Sequence, residues 1–455
     1  MTGSTFKQLP RRFGIVTMSQ ALMRARFLMR VLKALAVAAA IGMLSLFRPS
    51  HDSKEHPAMT ATESGTSNQL RARVRNLLEQ HWDDSRGFCV PNPSTYPHLW
   101  LWDSCFHAIV WAHLGDKRAL KELDAVLEGQ LEQGMVPHML YGAEPSQTWL
   151  GPLGKTSSLT QPPLFGHAAK VLADKGIRPS DETLARARKG MDWLWTNRRT
   201  EQGLIFVVHP WEAGNDHGQR FDDWGAPGRT PDDYSRPART QWNKDRVRDI
   251  SFAGDGAGEW SSTFVSCPAA FNAYCSFNMM ELASLLEDEE LAERARAISS
   301  AMDEHLWDEE EQLWSDLAVV GGGPSVRIPI SDGVMGALVT HDADKAEAAL
   351  DQLEDPDRFG APFGPANVVR THPSYDPGTY WRGPAWPPLN YLFWLALRRW
   401  NQNEAADRLA ALTLKGAEAS GWAEYWNPET GEGLGAAPQS WTGLALAMVQ
   451  EQPGR

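Results

Sequence analysis

The stretch Leu291-Ala-Glu-Arg-Ala-Arg-Ala-Ile-Ser-Ser-Ala-Met-Asp-Glu-His-Leu306 sets Leu291, Ala295, Ile298, Met302 and Leu306 three and four residues apart, just after the acidic run Glu287 to Glu290. One face of a helix is thereby apolar, and negative charge stands at the end where the helix dipole favours it. The same spacing recurs in Leu70, Val74, Leu77 and Leu78, and in Leu184, Ala187, Met191, Leu194 and Trp195. Further helices are expected over about 102–114, 117–132, 164–174, 263–286, 330–339, 343–353, 383–400, 403–418 and 438–450. Strand-like runs such as Leu204 to Val208 are few and short, and strands do not alternate with helices, so a doubly wound sheet is excluded. About a dozen helices in sequential pairs predict an all-α chain folded as an (α/α)6 barrel, with long loops at one end.

Those loops are unusual for connectors. Asn215 to Trp260 and Val319 to Pro329 are rich in Gly, Pro, Asp and Trp, and connections of such length in a compact domain are generally functional. The chain has 455 residues, a formal net charge of -13 and four cysteines without CxxC spacing. The acidic balance argues against a nucleic-acid partner, and the cysteines are expected to be reduced and buried, which suits a cytoplasmic protein. Basic residues up to Lys33 precede an apolar run from Ala34 to Phe47, which is short for a membrane span and close to a signal-peptide core. Export or anchoring through residues 30–47 is therefore the alternative, as is a true start at Met59. In either case residues 1–65 are expected to lie outside the fold and residues 66–455 to form one domain. Oligomeric state is not legible.

Twenty Trp cluster along the chain. Most are expected in the core, but four segments combine aromatics, acids and Gly or Pro within a few residues. In Trp100-Leu-Trp-Asp-Ser-Cys-Phe-His107, Asp103 begins a helix, either as its N-cap or as a ligand for sugar hydroxyls flanked by Trp100 and Trp102; His107 reads as a core histidine. In His209-Pro-Trp-Glu-Ala-Gly-Asn-Asp216, Trp211 offers a flat face, and Glu212 and Asp216 stand four apart with Arg220, Asp222 and Asp223 following, so spacing does not decide which acid is catalytic. Tyr380-Trp-Arg-Gly-Pro-Ala-Trp386 sets Arg382 to donate paired hydrogen bonds to a carboxylate. In Glu424-Tyr-Trp-Asn-Pro-Glu-Thr-Gly431, Glu429 belongs to a solvent-facing turn, which leaves Glu424. A carboxyl among rings loses water and its pKa rises toward the range of a general acid. Two such carboxyls facing each other can break a glycosidic bond. Gly154-Lys-Thr lacks the earlier glycine of a phosphate loop, no metal-ligand spacing or G-x-S-x-G elbow appears, and neither metal nor cofactor is expected.

With Ser440-Trp-Thr442 added, these segments in this order resemble the (α/α)6 glycosidases that include processing α-glucosidase I and the single-domain mannosylglycerate and glucosylglycerate hydrolases. The resemblance spans about residues 68–450. It implies an inverting hydrolysis of a small α-glucoside or α-mannoside, with Asp216 as general acid and Glu424 as general base. It further implies that Asp103, Trp381 and Arg382 line the sugar subsite, with Gln161 in a segment near it; Trp100, Trp102, Trp211, Glu212, Arg220, Trp386 and Trp441 are the other candidate substrate-binding residues. Ala213 and His217-Gly218-Gln219 depart from the family pattern around the acid. A glyceric-acid leaving group would need a cationic clamp, for which Arg220, Arg236 and Arg382 are candidates. The Asp222 to Asp249 loop is the expected specificity element or lid. Two other readings stand beside this one: an (α/α)6 sugar epimerase, which would use His as proton carrier, and a non-catalytic carbohydrate-binding protein.

Overall fold

The computed structural model describes residues 61–141, 155–322 and 329–450. Among them are twelve α-helices: α1 (Ala61–His81), α2 (Leu101–His113), α3 (Arg118–Glu128), α4 (Phe165–Asp174), α5 (Asp181–Asn197), α6 (Arg236–Arg246), α7 (Ala269–Leu286), α8 (Glu289–His305), α9 (Ala343–Leu350), α10 (Pro387–Arg399), α11 (Asn403–Ala419) and α12 (Leu444–Gln450). Burial sorts them into two layers. Every residue of α2 is buried, and α7 and α10 are apolar nearly all round, as helices enclosed on all sides must be. By contrast α3 buries one stripe, Ala119, Glu122, Leu123, Val126 and Leu127, and leaves its other face to water.

The inner layer runs α2, α4, α7, the 3-10 helix Ser331–Leu338, α10 and α12. Each packs on the next, and α12 returns to α2, so the ring closes. Outside it, α3, α8, α9 and α11 back α2, α7, Ser331–Leu338 and α10, α5 lies against α4, and α1 packs on α12. This is the (α/α)6 barrel. Its fourth inner wall is the 3-10 helix, where two glycines let the backbone press on Trp314: a Cβ at Gly336 would meet that ring at 2.2 Å.

Several expected boundaries shift for local reasons. The 263–286 segment opens with a strand, Val265–Cys267, paired antiparallel with Leu317–Val320, and Pro268 starts the helix behind it. The 383–400 helix begins at Pro387, because the residue before a proline is held extended and Trp386 has ψ 122°. The 330–339 helix is 3-10, the 343–353 helix turns 3-10 at Asp351–Leu353, and the 438–450 helix opens with a 3-10 turn, Ser440–Gly443. Leu204 to Val208 forms no ladder; it makes single bridges at Ile205 and Val207. Inside the long Asn215–Trp260 connection lies a helix that periodicity did not reveal, α6, with nine of its eleven residues at least partly exposed.

All four cysteines are free and buried. Among the described residues no helix is long and apolar enough to cross a membrane. The apolar run from Ala34 to Phe47 lies outside those residues.

Candidate active site

The connections that enter the N-terminal ends of the inner helices carry the chemistry-bearing segments: Trp100 before α2, Gln161 before α4, Asp216 before α7, Trp381 before α10 and Glu424 before α12. They converge on one pocket. Trp100, Trp102, Asp103, Gln161, Asp216, Trp381, Glu424 and Trp441 all line it, joined by Tyr96, Tyr380 and Gln439. An adjoining cavity of about 440 Å³ shares Trp100, Gln161 and Asp216 and adds Trp211.

The aromatic wall is a stack. Trp381 lies on Trp386 at 3.6 Å and 4°, and Trp386 lies on Tyr425 at 4.3 Å. Trp102 meets Trp441 edge-on at 5.8 Å. Trp381 holds φ 57°, a strained backbone for a bulky residue that the stack behind it must enforce. The indole N–H groups of Trp100 and Trp381 are buried without a protein partner. They are donors available to a bound sugar. Trp386 is thus the backing of the wall rather than its face.

Asp216 follows a 3-10 turn, Pro210–Ala213, that ends at Gly214 with φ 88°. A Cβ there would stand 3.0 Å from the Trp102 ring, so glycine lets the acid segment approach the pocket. Glu212, the other acid in this segment, has a different task. It pairs with the buried Arg198 at 2.9 Å and accepts the backbone N–H groups of Thr160 and Val208. That anchors the turn and separates two acids that spacing left equivalent. The backbone carbonyl of Asp216 accepts from Asn243 on α6 at 3.1 Å. Burial pushes its carboxyl up to about 7, against its own backbone N–H and Arg236, which pull it down.

Glu424 leads into a tight ladder of Tyr425–Trp426 with Gly433–Leu434. Its carboxylate accepts the Ala436 N–H at 2.9 Å and the Tyr96 hydroxyl at 3.3 Å, and its carbonyl accepts the Trp441 indole N–H. Burial raises this group to about 7 as well, opposed by Ala436, Arg236 and Tyr96. These donors favour the anion at Glu424. Asp103 lies in the first turn of α2, whose N-cap is Trp100, so it is not the cap. Burial, then the charge of Glu424, holds its carboxyl well above the usual range; a neutral Asp103 can donate to a sugar hydroxyl.

Two expected clamps are engaged elsewhere. Arg220 is buried against Asp332 at 3.0 Å and Asp316 at 3.2 Å. Arg382 spends both its terminal nitrogens on Asp222 at 3.2 Å and also donates to the carbonyl of Arg229. Arg236, the third, stands with its guanidinium 4.3 Å from the Tyr380 ring centroid, where it acts on both Asp216 and Glu424. Glu429 is held by Arg370 and Tyr375 and is a structural acid. Tyr96 escaped the sequence reading because it sits among Pro, Ser and Thr with no acid beside it. His107 is buried, with Nε2 2.6 Å from Ser440 Oγ. Its other nitrogen stands 3.7 Å from Glu122, and with Cys89 these two form a buried trio whose ligand-type atoms lie within 4.8 Å of one another. The pocket holding both acids is lined by no histidine among the described residues, and His98 and His138 line the adjoining cavity that shares Asp216.

Known proteins share the sequence and the fold. Residues 96–442 match the mannosylglycerate hydrolase MGH1-like glycoside hydrolase domain. The chain is 30% identical over 407 residues to a mannosylglycerate hydrolase of Thermus thermophilus, covering 80% of this chain and 97% of that one. It is 28% identical over 447 residues to a glucosylglycerate hydrolase of Mycolicibacterium hassiacum, covering 84% and 98%. A crystal structure of a GH63 mannosylglycerate hydrolase from Thermus thermophilus in complex with Tris and D-glycerate superposes with a TM-score of 0.69 at 26% identity, over 84% of this chain and 99% of that one. The match over residues 96–442 and the similarity to these hydrolases place the chain in the MGH1-like family of glycoside hydrolases.

Proposed function

We propose that this glycoside hydrolase, with residues 66–455 as its catalytic domain, releases an α-linked glucose or mannose from glyceric acid with inversion. The observation that carries this reading is the unequal support of two acids in one aromatic pocket. Burial raises both carboxyls to about 7, and what separates them is geometry: the Glu424 carboxylate accepts the Ala436 N–H and the Tyr96 hydroxyl, which support its anion. We therefore assign the proton to Asp216 and the base role to Glu424.

In the reaction, Asp216 gives its proton to the glycosidic oxygen as the bond to the anomeric carbon breaks. Glu424 takes a proton from a water that attacks that carbon from the opposite face. An inverting pair leaves room for this water when the carboxyls are about 6.5–9.5 Å apart. Trp381 and Trp102 offer the sugar apolar faces, and Asp103 and Gln161 its polar contacts. Arg236 is the remaining candidate for the glycerate carboxylate, since Arg220 and Arg382 are bound to aspartates.

The test is hydrolysis of α-mannosyl and α-glucosyl glycerate beside kojibiose, nigerose, trehalose and maltose, with NMR of the first anomer released. Glycerate and the β-anomer are expected. Release of the α-anomer would refute the base role of Glu424, and cleavage confined to the disaccharides would refute the leaving group.

A further inference from the structure

His217 directly follows the general acid, where this chain departs from the family pattern, and the proposed mechanism gives it no task. It is buried at 3% exposure. Its Nδ1 shares a hydrogen bond of 2.8 Å with the hydroxyl of Tyr234, and its ring stands edge-on to Tyr380 at 5.2 Å. Tyr234 closes the short 3-10 turn Pro231–Asp233. Ser235, the next residue, caps α6 by accepting from Ala238, and Arg236 is the first residue of that helix. The Arg236 guanidinium in turn lies over the same Tyr380 ring. The contacts therefore form a closed circuit: His217 to Tyr234, along the chain to Arg236, across Tyr380 and back to His217.

Beneath the circuit is a fixed base. Asp222 pairs with both Arg239 of α6 and Arg382, and the Arg382 guanidinium lies 5.6 Å from the Tyr234 ring. Burial and the neighbouring guanidinium groups of Arg239, Arg236 and Arg382 push the His217 ring down to about 3, so it stays neutral. A neutral ring can hold the phenol without adding a fourth cation. The arrangement couples the residue after the acid to the first residue of α6 through one side-chain hydrogen bond.

We infer that His217 and Tyr234 are positioning residues that set the place of Arg236 against Tyr380, which lines the pocket, and so determine the preference for an anionic leaving group. This rests on the reading of Arg236 as the carboxylate clamp. Neither residue needs to touch the sugar. Loosening the pair therefore weakens recognition of the charged leaving group while the acid and base keep their places.

The experiment compares wild type with Tyr234→Phe, His217→Asn and Arg236→Gln on two substrates, an α-hexosyl glycerate and the matching α-hexosyl glycerol, in which the carboxylate is replaced by a hydroxymethyl group. In the Tyr234→Phe and His217→Asn variants KM for the glycerate glycoside is expected to rise about tenfold, the size of one weakened charge-assisted hydrogen bond. Their kcat should stay within about twofold, and both constants for the glycerol glycoside should hold. Unchanged KM, or equal losses on both substrates in a variant that melts like wild type, would overturn the inference. A wild type that does not distinguish the substrates would overturn the clamp itself. Loss of preference in Arg236→Gln alone would preserve the clamp and remove the circuit.

Discussion

The two acids are mounted in opposite ways. Glu424 stands at the start of a two-residue ladder, with its backbone N–H bonded to the Ala436 carbonyl at 2.7 Å and its carboxylate bonded to the Ala436 N–H. Asp216 stands in a long connection of 3-10 turns, glycines and the exposed helix α6. Backbone bonds fix the Glu424 side of the pocket, the water side in the proposed mechanism. On the Asp216 side, the proposed leaving-group side, the partners are mostly side chains: Glu212 with Arg198, Asn243, and the Asp222 cluster. A base that activates water needs the same geometry for every substrate, whereas the face that meets the leaving group can be rebuilt by exchanging side chains.

The comparison breaks most severely if the acids are removed. Asp216→Asn and Glu424→Gln are each expected to lower kcat by about 10²–10⁴-fold with substrate binding retained, measured by steady-state kinetics and calorimetry. Unchanged turnover in both would return the molecule to the non-catalytic alternative. These variants also carry a stability signature. A carboxyl raised from 3.8 to about 7 on folding is neutral in both states at low pH. As pH rises from the unfolded value through the folded one, the unfolded chain alone gains charge freely, and the native state loses up to about 4 kcal/mol. Asp216→Asn should therefore melt higher than wild type at pH 8, with the difference vanishing near pH 3.

Next in size is the side-chain anchor of the acid loop. Arg198→Met leaves Glu212 buried without its partner and should cost about 3–5 kcal/mol in denaturant unfolding. A loss below 1 kcal/mol would show that the loop does not depend on this pair. On the ladder side, Gly435→Ala forces a Cβ to 2.4 Å from Glu424 Oε2 at a position with φ 73°. We expect a fall in kcat of about tenfold or more with folding intact, because small misplacement of a catalytic group is costly.

The smallest effect concerns pH. The proposed mechanism requires Asp216 protonated and Glu424 ionised, and burial pushes both up to about 7, so kcat/KM should trace a narrow bell around neutrality. Tyr96→Phe removes a donor that favours the Glu424 anion. Its acidic limb should move to higher pH by less than about one unit; movement to lower pH would contradict the assigned base.

The same contrast explains what the sequence disclosed. The aromatic segments could be read because Trp, Pro and Gly beside a carboxyl form a dense local pattern, which narrowed the acids to a few without separating Asp216 from Glu212, and the helices because burial imposes a period. Glu212, Arg220 and Arg382 could not be resolved, because a buried ion pair joins residues far apart in the chain: Arg220 meets Asp332, and Arg382 meets Asp222. Tyr96 acts on an acid 328 residues away, and nothing near it in sequence reports that. Helix α6 was hidden for a different reason, since a helix with two buried residues, Arg239 and Asn243, has no apolar stripe to detect.

The ring of inner helices is sealed by its ends, with α12 packed on both α1 and α2. During synthesis, five of six walls emerge before the sixth, and until α12 leaves the ribosome the apolar faces of α2 and α10 stand open to water. Assembly of the barrel is thus gated by α12, and the Glu424 ladder, which the Trp441 indole braces, is completed in that same step. A nascent chain stalled before residue 440 would hold most of the fold yet need shielding from aggregation, and catalytic competence would arrive together with closure.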